Sequence, residues 1–179
     1  MGTWIALLRG VNVGGKHRLV MKDWARDLTA LQFANVQTYI QSGNAIFQSA
    51  RRSAGELARD IATDLERRYD YRIDVMVLLA RQLTQIIANN PFPEAAQAPT
   101  SLHVYLLGCR PTDPDLAALT KNKAPDEQFR LAATTFYLFA PSGIGRSRLA
   151  ARVERALGVA TTARNWNTIC NLAEMADAI

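Results

Sequence analysis

One order of elements occurs twice along this 179-residue chain, and that recurrence constrains the fold more than any single motif does. Residues 3–9 form a short, almost continuous apolar run, the mark of a buried strand. Met21, Trp24, Leu28 and Leu31 then recur at helical spacing. Residues 36–41 alternate as a strand does, Ser42-Gly43 signals a tight turn, and residues 44–48 return as the second arm of a hairpin. Ser53 with Glu56 three residues on reads as a capping box, opening a helix whose inward stripe is Leu57, Ile61 and Leu65. Residues 73–79 supply a further strand, so the order is β-α-β-β-α-β.

The second half repeats it. Residues 102–108 read as a strand, and Asp113 with Pro114 behind it as a helix start. A hairpin follows, residues 128–131 and 134–140 around Ala132-Ala133. Ser147 then caps a helix that Gly158 closes. Residues 159–161 make a short strand, and Asn165 caps a last helix with Trp166, Ile169, Leu172 and Ala176 inward. Between the halves, a short helix over residues 81–88 stops at Asn89-Asn-Pro91. The expected fold is α+β: two ferredoxin-like βαββαβ lobes with mostly antiparallel sheets, plus a C-terminal helix. The expected boundaries are 1–90 for the first lobe, 91–100 for a proline-rich linker and 101–179 for the second lobe.

Composition removes several functional classes. Cys109 and Cys170 form no CxxC pair, and the two histidines, His17 and His103, are far apart, so no metal site is expected. Two lone thiols suit a reducing compartment. No secretory leader, myristoylation motif (Ala6 stands where Ser or Thr is needed) or membrane-length apolar run occurs, so a cytoplasmic protein without membrane attachment is expected. No cofactor motif is complete. The formal net charge of +5 favours anionic partners.

Four segments together resemble a known family. Ala6-Leu-Leu-Arg-Gly-Val-Asn-Val-Gly-Gly15, Thr38-Tyr-Ile-Gln-Ser-Gly-Asn44, Asn89-Asn-Pro-Phe92 and Thr162-Ala-Arg-Asn-Trp-Asn-Thr168 are similar to motifs of the bacterial domain-of-unknown-function family 1697. The resemblance spans essentially the whole chain. It implies two ferredoxin-like lobes and no activity.

Candidate functional residues come from local chemistry. Gly10-Val-Asn-Val-Gly-Gly-Lys16 fits the first seven positions of a P-loop, but His17 stands where the magnesium-binding hydroxyl belongs. Gly14 and Gly15 then read as a glycine turn. A broader pattern is basic: the strand-to-helix loops hold Lys16, His17, Arg18, Arg51 and Arg52 in the first half, and Arg110, Arg146 and Arg148 in the second. In a βαββαβ unit strands 1 and 3 are expected to run parallel, so these loops share one rim beside helix N-termini, a setting suited to anions. The candidate ligand-binding set is Arg9, Asn12, Gly14, Gly15, Lys16, Arg18, Ser42, Asn44, Arg146, Arg164 and Asn165. The leading expectation is a binding protein for a phosphate-bearing ligand or a nucleic-acid backbone. An enzyme acting on a phosphorylated small molecule and a protein-interaction or self-association module are the alternatives. Oligomeric state is not legible.

Overall fold

Strand direction is set by the crossover helices. The computed structural model describes residues 1–14, 17–51 and 53–179. Its first elements are β1 (Gly2–Leu8), α1 (Met21–Ala30), β2 (Ala34–Tyr39), β3 (Asn44–Ser49), α2 (Ala54–Tyr69) and β4 (Val75–Leu79). Because α1 carries the chain back along the sheet, β2 runs with β1. The hairpin then turns β3 against both. The sheet order is β2-β3-β1-β4, with antiparallel pairing throughout. Gly2 lies opposite Ser49 and Leu7 opposite Asn44.

This corrects the parallel alignment of the first and third strands that the rim argument needed. The loop leaving β1 and the loop leaving β3 lie at opposite ends of the sheet. The exit end of β1 holds residues 9–14 and 17–20, the hairpin tip and the start of β4. Its entry end holds residues 50 and 51 and the end of β4.

Hydrophobic alternation fixes which face meets the helices. Trp4, Ala6 and Leu8 of β1 join Ala45 and Phe47 of β3, Trp24 and Leu28 of α1, and Leu57, Ile61 and Leu65 of α2 in one cluster. Each large side chain fully buried in this way contributes about 1.5–3 kcal/mol. The intervening Ile5, Leu7 and Ile46 are also fully buried, so both faces of the β1–β3 pair are out of water, as near-continuous apolar strands require. Ser53 caps α2 as expected, its Oγ accepting from the Glu56 N–H at 3.3 Å.

The chain continues through α3 (Ala80–Ala88), a 3-10 turn (Pro93–Gln97), β5 (Leu102–Leu107), α4 (Leu116–Asn122), β6 (Gln128–Ala132), β7 (Thr135–Phe139), α5 (Val153–Leu157), β8 (Thr161–Asn165) and α6 (Trp166–Asp177). The second sheet has the order β6-β7-β5-β8, again wholly antiparallel. Tyr105, Leu107, Leu119, Phe136, Leu138, Leu149 and Val153 form its helix-facing core. By internal contacts the chain divides into Met1–Gln85 with Asn171–Ile179, and Ile86–Cys170.

Three local expectations shift. Asp115, not Asp113, caps α4: its side chain accepts from the Ala118 N–H at 2.8 Å, while its own N–H is drawn to the Ala156 carbonyl at 2.7 Å. The last strand begins at Thr161 and runs to Asn165, because pairing with β5 draws these polar residues into the ladder. The helix expected after Ser147 is α5, preceded by a 3-10 turn over Ala150–Arg152. Ser147 still accepts from the Ala150 N–H, and Gly158 ends α5 at φ 66°.

Gly43 closes the first hairpin at φ +72°. A Cβ there would lie 2.6 Å from both Leu8 Cβ and Val11 Cγ2. Left-handed strain and overpacking add at this position. Gly43→Ala is expected to lower unfolding free energy by about 2–4 kcal/mol, measured by urea denaturation against wild type.

Candidate functional site

At the exit end of β1, the residues singled out from sequence meet each other, and most of their polar capacity is spent on doing so. Asn12 adopts φ 56° and its side chain spans two loops. Nδ2 donates to the Leu19 carbonyl at 2.9 Å and the Gln41 carbonyl at 2.7 Å, while Oδ1 accepts from the Leu19 N–H at 2.9 Å. Asn44 is fully buried, and its Nδ2 donates to the Tyr39 carbonyl at 3.1 Å and Ser42 Oγ at 2.9 Å. Both side-chain amides therefore brace the loop and the hairpin tip. The Arg9 N–H donates to the Asp74 carbonyl at 3.0 Å, and its guanidinium lies 3.6 Å from the Asp74 carboxylate. Gly14 has φ 58° with open space around its α-carbon. Arg18 is exposed, its carbonyl accepting from the Tyr71 hydroxyl at 2.9 Å, and the His17 ring stacks on Tyr71 at 4.9 Å. Gly15, Lys16 and Arg52 lie outside the described residues.

In the second unit, Asn165 caps α6, its Oδ1 accepting from the Thr168 N–H at 2.9 Å. Arg164 faces Val104 across the ladder and donates to the Ala163 carbonyl at 2.8 Å. Burial lowers its pKa to about 10, which leaves it protonated at neutral pH. Arg146 is exposed in a 3-10 turn over Ile144–Arg146. Within this unit, Arg146, Arg164 and Asn165 lie toward the entry end of β5. Arg110 follows β5 at its other end.

The entry end of β1 carries what sequence reading did not assemble. A cavity of about 740 Å³ opens there, lined by Gly2, Trp4, Arg51, Leu79, Ala80 and Arg81 among others. Antiparallel order builds it: the start of β1 lies between the ends of β3 and β4, so the residues following each of those strands flank the same space. Arg51 leaves β3 with its guanidinium ion-paired to Asp60 and its side chain half exposed. Arg81 enters α3 exposed, with no acidic partner among the described residues. Trp4, almost wholly buried, is among the lining residues. A smaller cavity of about 250 Å³ in the second unit is lined by Asp115, Arg152 and Arg155, with the Asp115 carboxylate engaged as the α4 cap. Among the described residues no cluster of His, Cys, Asp and Glu could hold a metal ion, and no helix is long and apolar enough to cross a membrane.

The family model described as Protein of unknown function (DUF1697) matches residues 1–137. The chain belongs to this family. The solved structure of a conserved bacterial protein from Streptococcus pneumoniae matches 98% of this chain and 98% of that one, at 22% identity and a TM-score of 0.74. That likeness shows the fold: α+β, with two four-stranded antiparallel sheets and a C-terminal helix, as the four motifs implied. No curated protein matches the chain. The function of this DUF1697 protein is unknown, in keeping with the sequence reading.

Arg51 was visible from sequence only as one of several loop cations, Arg81 only as the first residue of a short helix and Trp4 only as part of a buried strand. The signal that joins them is strand direction, which local patterns do not carry.

A titratable group of the second sheet gives a test of burial. His103 is half buried, its Nδ1 is buried without a partner, and burial pushes its pKa below the ordinary 6.5. The folded chain then binds this proton less readily than the unfolded chain does. Stability contributed by neutral His103 is fully present above pH 6.5 and is lost as pH falls below it. His103→Leu is expected to remove part of the acid destabilisation below pH 6.5, read from denaturation midpoints at pH 7.5 and 5.0. An unchanged pH profile would contradict this.

Proposed function

We propose that this DUF1697 chain binds a small phosphate-bearing or otherwise anionic ligand, and that the ligand sits in the cavity at the entry end of β1. The observation that carries this reading is the meeting of Arg51 and Arg81, from separate segments, on one cavity of about 740 Å³. Small-molecule sites are clefts of roughly 300–1,000 Å³ with a few converging polar groups. Guanidinium groups recognise phosphate and carboxylate through paired, charge-assisted hydrogen bonds. The ion pair with Asp60 orients Arg51, and Arg81 supplies charge that no described acid offsets.

The basic strand-to-helix loops contribute unequally to this reading. Ala50 and Arg51 line the cavity, whereas Arg9, Asn12 and Arg18 lie at the other end of the same sheet. There, Asn12 and Asn44 spend their amide hydrogens on backbone carbonyls and Ser42. The net charge of +5 also supports an anionic partner. The two cysteines, one exposed and one half buried, form no disulfide and support a cytoplasmic location, and the Streptococcus pneumoniae neighbour supports a bacterial origin.

The test is calorimetric titration of wild type, Arg81→Glu and Arg18→Glu with inorganic phosphate and glycerol 3-phosphate. Arg81→Glu is expected to weaken binding by about tenfold or more, and Arg18→Glu to leave it near wild type. If Arg18→Glu is the damaging change, the site lies at the other end of the sheet. A wild type that binds neither probe, but binds an oligonucleotide in a salt-dependent way, would replace the reading with nucleic-acid binding.

A further inference from the structure

One residue lining the cavity carries a buried hydrogen-bond donor with nothing to donate to. Trp4 is 3% exposed, and its indole Nε1 is buried without a partner. Leaving a buried N–H unmade costs free energy that a packed phenyl ring at the same place would not incur. Trp24 also has an unpartnered Nε1, but it is wholly buried and does not line the cavity. Trp4 does line it, beside Gly2, Leu79 and Ala80.

Position 2 controls the approach to that nitrogen. Gly2 and Trp4 alternate along β1, so both project to the same face. A Cβ on residue 2 would lie 3.2 Å from Trp4 Nε1 and 3.6 Å from Leu79 Cδ2, tighter on the nitrogen than side chains normally pack. Glycine keeps a side chain off Nε1 at this position. Two arginines on the lining, walls of mixed polar and apolar character and an unpartnered indole donor describe a ligand with an acid group at one end and a second acceptor on its body. A bare oxyanion held by the arginines fills little of about 740 Å³ and has no body to reach Trp4.

We infer that Trp4 is a ligand-binding residue: its indole N–H donates to an oxygen on the body of a small organic acid or phosphate ester whose anionic group is held by Arg51 and Arg81. This rests on the anion-binding reading above and narrows its ligand class to organic oxyanions carrying a further acceptor. Trp4 supplies selectivity for the body, and the arginines supply attraction for the charge.

Proton–nitrogen correlation spectra of the ¹⁵N-labelled full chain test this, with the Trp4 indole signal assigned by its loss in Trp4→Phe. Three probes are titrated: inorganic phosphate, glycerol 3-phosphate and citrate. A saturable downfield shift of the Trp4 indole proton is expected with at least one of the two organic anions, with the Trp24 and Trp166 indole signals unmoved and a smaller response to inorganic phosphate. A response to glycerol 3-phosphate alone assigns the acid group as phosphate, and one to citrate alone as carboxylate. Trp4→Phe should bind the responding probe about tenfold more weakly. Gly2→Ala should blunt the indole shift. If a probe binds wild type and is lost in Arg81→Glu, yet the Trp4 signal stays in place, the inference is overturned while the arginine site stands. If no probe binds wild type, the arginine site fails and this inference fails with it. Should Trp4→Phe not fold, the wild-type indole shift decides alone.

Discussion

The antiparallel pairing of β1 with β3 is the interaction on which the rest of the first unit depends. It places the most deeply buried strand of the sheet, with Ile5, Ala6, Leu7 and Leu8 all at 0% exposure, against a partner whose Ala45, Ile46 and Phe47 are equally buried. It also decides which loops are neighbours. With β3 reversed, the loop after β1 joins the hairpin tip, and the loop after β3 joins the end of β4. The same strand order recurs in the second unit, where β5 runs against β7.

The two ends of the first sheet are built differently. At the exit end, polar side chains hold the backbone together: Asn12 ties residues 19 and 41, Asn44 ties Tyr39 and Ser42, and Gly43 fits against Leu8 only because it lacks a side chain. These are interactions of a braced loop cluster, and they satisfy buried groups that would otherwise be costly. At the entry end, donors converge without using one another. Arg51 has Asp60, but Arg81 and the Trp4 indole have no described partner, and a cavity lies among them. Function is expected where the fold leaves hydrogen-bonding capacity unspent.

Much of the architecture was legible in the residues because it is written locally. The order of eight strands, the Ser53 and Asn165 caps and the Gly158 stop each depend on side chains within a few positions of one another. Competition between near-equal local signals explains the shift from Asp113 to Asp115, which a hydrogen bond to Ala156 decides from far along the chain. The strand through Arg164 and Asn165 was misplaced for a related reason: a polar edge strand owes its conformation to the β5 ladder and little to its own composition. The candidate site was the least legible part. Arg51 and Arg81 line one cavity because of strand direction, and taking the first and third strands as parallel put Arg51 at the same rim as Arg18, whereas the two lie at opposite ends of the sheet.

Strand direction is therefore the claim to test first, and α-proton contacts report it without reference to any ligand. The Leu8 N–H donates to the Gly43 carbonyl at 2.8 Å, so Leu8 and Gly43 form a hydrogen-bonded pair. The alternate pairs Leu7 with Asn44, Ile5 with Ile46 and Thr3 with Gln48 are then non-hydrogen-bonded, with facing α-carbons only about 4.5 Å apart. Nuclear Overhauser spectra should show strong α-proton to α-proton cross-peaks for Ile5 with Ile46 and for Thr3 with Gln48. Absence of these peaks, with the staggered amide-to-α-proton contacts of parallel strands in their place, would contradict the account and return the β1 and β3 loops to a common rim.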